Sequence, residues 1–383
     1  MHEDAFILNA ARISLSEKNI SVLKEISKND MDWELFKKKA CIHGVSTFIY
    51  YSLTQHGLSG LIPLPVYEQF KNHYYSNAVR NSIFLEEIEK LSNMIENKFV
   101  LLKGADLIQN LYPTIAIRSM CDIDILVESK NAKEIWTKLL FSGFQEITQP
   151  AKSRIHNISN NSKLRHLPAL YSDRCRVEIH WNLFRMNRLC EITKIALNKS
   201  LHFNDNKCIL TSELMLIHLC SHFYDHLQTV VILRMLCDLN ELIQKYGNSL
   251  NWEEIKEICI DPALKKEVDT ALTYTHRLLK TPIPQDFILK RTIQELSITL
   301  DSINVKRDIP KKTGLYYFFS QIYNLRKPIA IFIFIFRTIV PNKIWMKSRY
   351  KISTIGELLR AYFKYWIYLF NRHVLQKPVT IEN

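Results

Sequence analysis

The chain lacks the features that mark several large protein classes. Its eight cysteines (Cys41, Cys121, Cys175, Cys190, Cys208, Cys220, Cys237 and Cys259) include no C-x-x-C pair. That argues against a zinc framework and a small secreted disulfide scaffold, so reduced thiols are expected. The one apolar run that stands out, I-A-I-F-I-F-I-F at 329–336, has eight residues between Pro328 and Arg337. A helix needs roughly 20 to cross a bilayer, so a buried or interfacial segment is expected instead. The opening residues M-H-E-D-A-F have neither the basic region nor the apolar core of a secretion signal, and a cytoplasmic protein is expected. No repeat at solenoid periods, no low-complexity stretch and no H-E-x-x-H motif occurs.

Acidic residues are scarce towards the end. From Lys306 to Asn383 there are 15 Lys and Arg against 3 acidic residues, a net +12 of the chain's +13. The same tail is aromatic, as in Y-F-K-Y-W-I-Y-L-F at 362–370. Such a tail suits the anionic inner face of a membrane or, with less support, a nucleic acid. A helical subdomain with a basic exposed face reads equally well.

What is present is globular. With 383 residues, 47% hydrophobic and 23% charged, the chain can bury a core in two or three domains. Apolar residues at three- and four-residue spacing predict helices over Ser14 to Ile26, Asp32 to Tyr51 and Asn81 to Glu96, with a connector at 57–65. At Lys98 the period changes. F-V-L-L (99–102) reads as a buried strand, followed by a short helix from Ala105 to Leu111. C-D-I-D-I-L-V (121–127) is the next strand, and 128–141 a helix with Ser129 as N-cap and Gly143 as its stop. L-R-H-L-P-A-L-Y (164–171) and R-C-R-V-E-I-H-W (174–181) read as a hairpin across Ser172-Asp173. Helical spacing returns from Thr211 to Tyr246 and from Leu250 to Ile260. The fold class is therefore α+β, a small mixed sheet flanked by helical regions. The expected division is 1–98 helical, 99–205 α/β, 206–300 helical and 301–383 a basic, aromatic-rich helical tail.

The chemistry concentrates on the strands. Side chains alternate along a strand, so Asp122 and Asp124 share one face, ~7 Å apart at ~3.3 Å per residue. They repel unless a cation lies between them, and Mg²⁺ (or Mn²⁺) is the usual one beside phosphate oxygens. A solvated edge strand would also carry such a pair. Glu178 shares a face with His180, and is either a third acid of the same site or the partner of Arg174 or Arg176. Lys103-Gly104 lies at a strand-to-helix turn where a phosphate can approach the backbone. Arg118 is a phosphate clamp or a carboxylate partner. His166 and His180 contact phosphate or substrate, or are half-buried hydrogen-bonded imidazoles. His218, His222 and His226 recur every four residues. They read as a metal stripe or, better, as polar residues facing the sheet, with Asp225, Arg234 and Asp238 as available partners.

Taken in order, L-L-K-G-A-D-L-I-Q-N-L-Y-P (101–113), R-S-M-C-D-I-D-I-L-V (118–127), R-H-L-P-A-L (165–170) and V-E-I-H-W (177–181) resemble the uncharacterised bacterial nucleotidyltransferase-like family of the DNA polymerase β-type superfold. The resemblance continues through D-W-E-L-F-K-K-K-A (32–40), L-C-S-H-F-Y-D-H (219–226), R-M-L-C-D-L-N-E-L (234–242) and N-W-E-E-I (251–255), roughly residues 30 to 290. It implies a Mg²⁺-dependent enzyme that moves a nucleotidyl group from an NTP, such as ATP, to a hydroxyl acceptor, in polysaccharide or natural-product biosynthesis. Asp122, Asp124 and Glu178 would be the catalytic metal-binding acids, with Lys103, Gly104, Arg118, His166 and His180 around nucleotide and substrate. Lys103-Gly104 stands where the wider superfold has Gly-Ser, so the serine hydroxyl is missing. Two other readings stay open: a silent nucleotide- or glycan-binding scaffold at the membrane surface, and RNA nucleotidyl addition.

Overall fold

The computed structural model describes residues 2–146, 165–185, 189–227 and 233–289, with 354, 356–357, 359–360 and 362–363. Apart from those last few positions, the expectations for the basic tail and its 329–336 run lie outside the described residues. Residues 1–147 with 157–305 form one compact unit, and 148–156 with 306–383 a second. In the second, Thr354 Oγ1 accepts from the Glu357 amide at 3.3 Å. The first unit holds the sheet and the helices that flank it. Among the described residues no helix is long and apolar enough to cross a membrane.

Five helices come first: α1 (His2–Ala10), α2 (Glu17–Ile26), α3 (Trp33–Ile42), α4 (Ser46–Gln55) and α5 (Leu64–Met94). Ser16 caps α2 by accepting from the Asn19 amide, so this helix begins later than the spacing predicts. The stretch expected as one helix from Asp32 to Tyr51 is two. Gly44, at φ +66°, turns the chain between α3 and α4, a conformation that glycine adopts without penalty. The helix expected from Asn81 begins at Leu64, with proline in its first turn, where a missing N–H costs nothing.

The α/β part runs β1 (Phe99–Leu102), α6 (Gly104–Asn110), β2 (Ile123–Leu126), α7 (Ser129–Phe141), β3 (Gln145–Glu146), β4 (Leu170–Tyr171), β5 (Arg176–His180), α8 (Cys190–Lys199), β6 (Leu201–Asn204) and β7 (Lys207–Ile209). Four further α-helices follow among the described residues: α9 (Ser212–His226), α10 (Leu233–Tyr246), α11 (Trp252–Ile258) and α12 (Pro262–Leu279). The seven strands form one mixed sheet in the order β3-β4-β5-β2-β1-β7-β6. β2 runs antiparallel to β1 and parallel to β5. The fold is thus α+β and mostly helical.

Three local differences from the sequence-based expectation have physical causes. Ser129 is the first helical residue of α7, and Glu128 holds the N-cap position without a side-chain bond. The ladder extends beyond β2 to Val127, whose amide donates to the His180 carbonyl at 2.9 Å, so the chain turns only after it. The first arm of the 164–181 hairpin is reduced to β4 and an isolated bridge between His166 and His180. Pro168 has no N–H to give the ladder there. Finally, β6 and β7 extend the sheet beyond β1 through a turn in which Asp205 has φ +47°.

The sheet divides two hydrophobic cores. Phe99, Leu101, Ile123, Ile125, Val177 and Ile179 pack with Phe84, Ile88 and Leu91 of α5 and Ile135, Trp136 and Leu139 of α7. Val100, Leu102 and Leu126 face the other way, into the core built by α9, α10 and α12. Strand alternation therefore sends Asp124, Glu178 and His180 towards the helical core.

Candidate metal and nucleotide site

β2 lies inside the sheet, with β1 and β5 on its two sides, and all four of its residues are buried. A solvated edge strand is thereby excluded. The parallel register pairs Asp124 with Glu178 and Leu126 with His180. Each of the two acids therefore stands beside the other across one hydrogen-bonded strand spacing, on the same face. Asp122 precedes β2 and remains partly exposed, its side chain 30% accessible against 3% for Asp124.

Asp124 Oδ1 is the hub. Lys103 Nζ donates to it at 2.9 Å, and His180 Nε2 lies 2.8 Å from it. His180 Nε2 is also 3.6 Å from Glu178 Oε2. Donor atoms of Asp124, Glu178 and His180 all lie within 4.8 Å of one another, the group of this kind among the described residues. Arg176 closes the outer side, bonding Glu178 and standing 3.5 Å from Asp122. Arg174 pairs instead with Glu86 and Glu87. His166 Nδ1 meets the Leu167 carbonyl at 2.8 Å, which leaves Nε2 facing Glu178 Oε2 at 3.9 Å.

Lys103 takes an unusual backbone conformation to reach Asp124. It sits at φ +48°, ψ −122°, in the left-handed half of the map that side chains avoid, at a cost of about 1–3 kcal/mol. Gly104 follows for a steric reason. A Cβ there would lie 2.6 Å from Arg118 Nη1 and 2.9 Å from Met120 Cγ.

Arg118 does not point into the acid cluster. Its Nε donates to both oxygens of Asp238, at 2.9 and 3.1 Å, and Tyr112 donates to the same carboxylate at 2.5 Å. Of the two readings for Arg118, the structure has the carboxylate pair. The chain leading to Asp122 is fixed from behind. Asn81 donates to the carbonyls of Ile115 and Arg118, at 2.6 and 2.7 Å, and Thr47 donates to that of Ile117 at 2.5 Å.

Burial works on each ionisable group. It raises the Asp122 carboxyl to about 6, with repulsion from Asp124 adding to the effect. Burial also acts to raise Asp124, but Lys103 and His180 outweigh it and hold this carboxyl well below the usual range. Glu178 is likewise brought down to about 2, burial being overcome chiefly by its contact with His180. His166 is lowered by burial and by His180, which keeps its imidazole neutral.

On α9, His218 and His222 lack the hydrogen-bond partners the sequence offered. Asp225 takes Arg165 at 2.7 Å and Arg185 at 3.1 Å, Asp238 takes Arg118, and Arg234 bonds Ser119. Both ring nitrogens of His218, and Nδ1 of His222, have no partner among the described residues. Burial, with Lys103 nearby, keeps both rings well below their ordinary value and uncharged. A shallow cavity lined by Asp106, Leu107, Met215, Leu242 and Tyr246 shares no residue with the acid cluster.

Sequence reasoning overlooked Asn81 as a support of the site and offered Asp238 to the α9 histidines rather than to Arg118. Asn81 and Asp238 act through tertiary contacts that no local spacing announces. Two carboxylates and an imidazole at this separation make a donor set that fits a divalent cation. No curated protein and no solved structure matches the chain. Residues 29–280 match the model of a family described as uncharacterised nucleotidyltransferase, and this chain, with Asp124 and Glu178 side by side on neighbouring strands, belongs to that nucleotidyltransferase family.

Proposed function

We propose that the protein is a metal-dependent enzyme that transfers a nucleotidyl group from an NTP to a hydroxyl acceptor. The observation that carries this reading is the placement of Asp124 and Glu178 side by side on one buried face of the sheet, with Asp122 at its rim. When bound, Mg²⁺ or Mn²⁺ would supply charge neutralisation at the phosphates and polarise the α-phosphate. Asp122, Asp124 and Glu178 would hold it.

The chain's own groups then have distinct tasks. The Lys103 ammonium, already directed to the cluster, neutralises phosphate oxygens. Glu178 accepts the acceptor hydroxyl's proton as it attacks in line with the leaving pyrophosphate. His166, the more accessible of the two histidines beside Glu178, faces the substrate side of the site, and His180 lies buried behind it. Gly104 and Arg118 act through shape: Arg118, fixed on Asp238, packs over Gly104 and sets the course of the Lys103 turn.

The test is transfer of label from α-³²P NTPs with Mg²⁺ to a panel of sugar and polyol hydroxyls. Metal-dependent product with pyrophosphate release is expected, reduced at least about 100-fold in Asp124→Asn, the scale of losing one preorganised electrostatic element. A second reading, a ligand-binding module without turnover, is favoured by the cations already on the acids, Lys103 on Asp124 and Arg176 on Glu178. It predicts NTP retention without product.

A further inference from the structure

Resting on the metal-dependent reading above, we infer that His180 is a metal ligand of this site, with Asp124 and Glu178, and that its imidazole makes the site prefer a first-row transition cation to Mg²⁺. Three observations meet here. First, the separations lie within a few tenths of an ångström of those between ligands on a single ion. Donors about 2.1 Å from one ion lie about 3.0 Å apart when octahedral and about 3.4 Å apart when tetrahedral. His180 Nε2 lies 2.8 Å from Asp124 Oδ1 and 3.6 Å from Glu178 Oε2.

Second, the three residues are held where they are by the sheet. His180 ends β5, its own residue pairs with Leu126 of β2, and the ring is fully buried. An imidazole so placed cannot swing out to solvent, and its Nε2 faces two carboxylates. Its Nδ1 has no partner among the described residues. In the hydrogen bond to Asp124 the carboxylate accepts, so Nε2 carries the ring proton there; when a cation displaces that bond the proton moves to the unpartnered Nδ1, and Nε2 becomes the lone-pair donor.

Third, the acid best placed by sequence for an all-oxygen site is set apart. Asp122 lies outside the group of mutually close donors and is faced by Arg176. Mg²⁺ favours all-oxygen octahedra rich in water, whereas imidazole nitrogen suits transition cations. A site of two carboxylates and one imidazole has the second character.

The probe is Mn²⁺, read by its electron spin rather than by turnover. Full-length protein loaded with one equivalent of Mn²⁺ should show electron spin-echo modulation from a directly coordinated ¹⁴N. His180→Gln, which keeps volume and a hydrogen-bond donor, should abolish that modulation and weaken Mn²⁺ at least about tenfold in calorimetry, while Mg²⁺ affinity changes less than twofold. His166→Gln should leave the modulation in place.

Mn²⁺ bound without nitrogen modulation overturns the assignment of His180 and leaves the metal-dependent reading standing. Modulation that survives His180→Gln also overturns it. Failure of the wild-type protein to bind Mn²⁺ at all overturns both. Because the nitrogen signal is read first in the wild-type protein, the inference stays testable even if His180→Gln fails to fold.

Discussion

Lys103 Nζ donates to Asp124 Oδ1 at 2.9 Å inside the protein, both side chains nearly inaccessible to solvent. The pair joins the turn after β1 to the middle strand of the sheet. It also explains how a carboxylate survives burial on β2, since an unpaired one would protonate or unfold the strand.

Removing one member of such a pair strands the other. Lys103→Ala should cost about 3–5 kcal/mol in urea denaturation without metal. Part of that loss belongs to the backbone. At φ +48° glycine is at ease and alanine is not, so Lys103→Gly should be about 1 kcal/mol more stable than Lys103→Ala. Equal stability of the two variants would show that the turn carries no strain. Added Mn²⁺ should raise the melting temperature of either variant more than that of the wild type, because it replaces the missing cation beside Asp124.

Gly104→Ala tests the packing beneath the site. The new methyl would lie 2.6 Å from Nη1 of Arg118, a guanidinium anchored through its Nε by two hydrogen bonds to Asp238, and 2.9 Å from Met120. Arg118 cannot yield without breaking its pair, so overpacking of roughly 1–3 kcal/mol is expected by denaturant titration. A change under about 0.5 kcal/mol would mean that Arg118 is free to move.

These two residues also show what could be read in advance. Period-two alternation in C-D-I-D-I-L-V and R-V-E-I-H-W was enough to put Asp124, Glu178 and His180 on one kind of face, because strand geometry is local. Whether the two strands are neighbours is not local, and neither is the Arg118–Asp238 pair, whose members are 120 residues apart. The glycine in K-G looked like an opening for phosphate. Its space is in fact filled by Arg118 and Met120, which only the folded chain could reveal. β6 escaped notice although L-H-F-N alternates, because four residues are too short a run to stand out and none of them is buried against a core. The Gly44 break within 32–51 was visible as a residue, but the apolar spacing runs through it.

A buried acid outside the acid cluster gives the fold a pH dependence. Glu241 of α10 accepts from the Ile13 amide at 3.2 Å and from Asn240 at 2.9 Å, and burial raises its carboxyl from the ordinary 4.5 to about 7. A carboxyl raised on folding favours the native state while protonated. Its contribution is full below about pH 4.5 and is lost as the pH climbs through 7. The loss is up to about 3 kcal/mol. Glu241→Gln, which mimics the protonated form, should flatten the fall in unfolding free energy between pH 5 and pH 8. An unchanged slope in the variant would assign the dependence to other groups.

The most direct measurement of the central claim is equilibrium binding of a non-hydrolysable NTP analogue with Mn²⁺ present or removed by EDTA. Wild-type protein should bind it at least about tenfold more tightly with metal, a coupling of about 1.4 kcal/mol. Asp124→Asn should lose most of that difference, and Asp122→Asn at the more exposed rim a smaller part of it, while both keep native circular dichroism. Equal affinity with Mn²⁺ and with EDTA in the wild type, unaltered by either substitution, would contradict a metal-assisted nucleotide site on this strand.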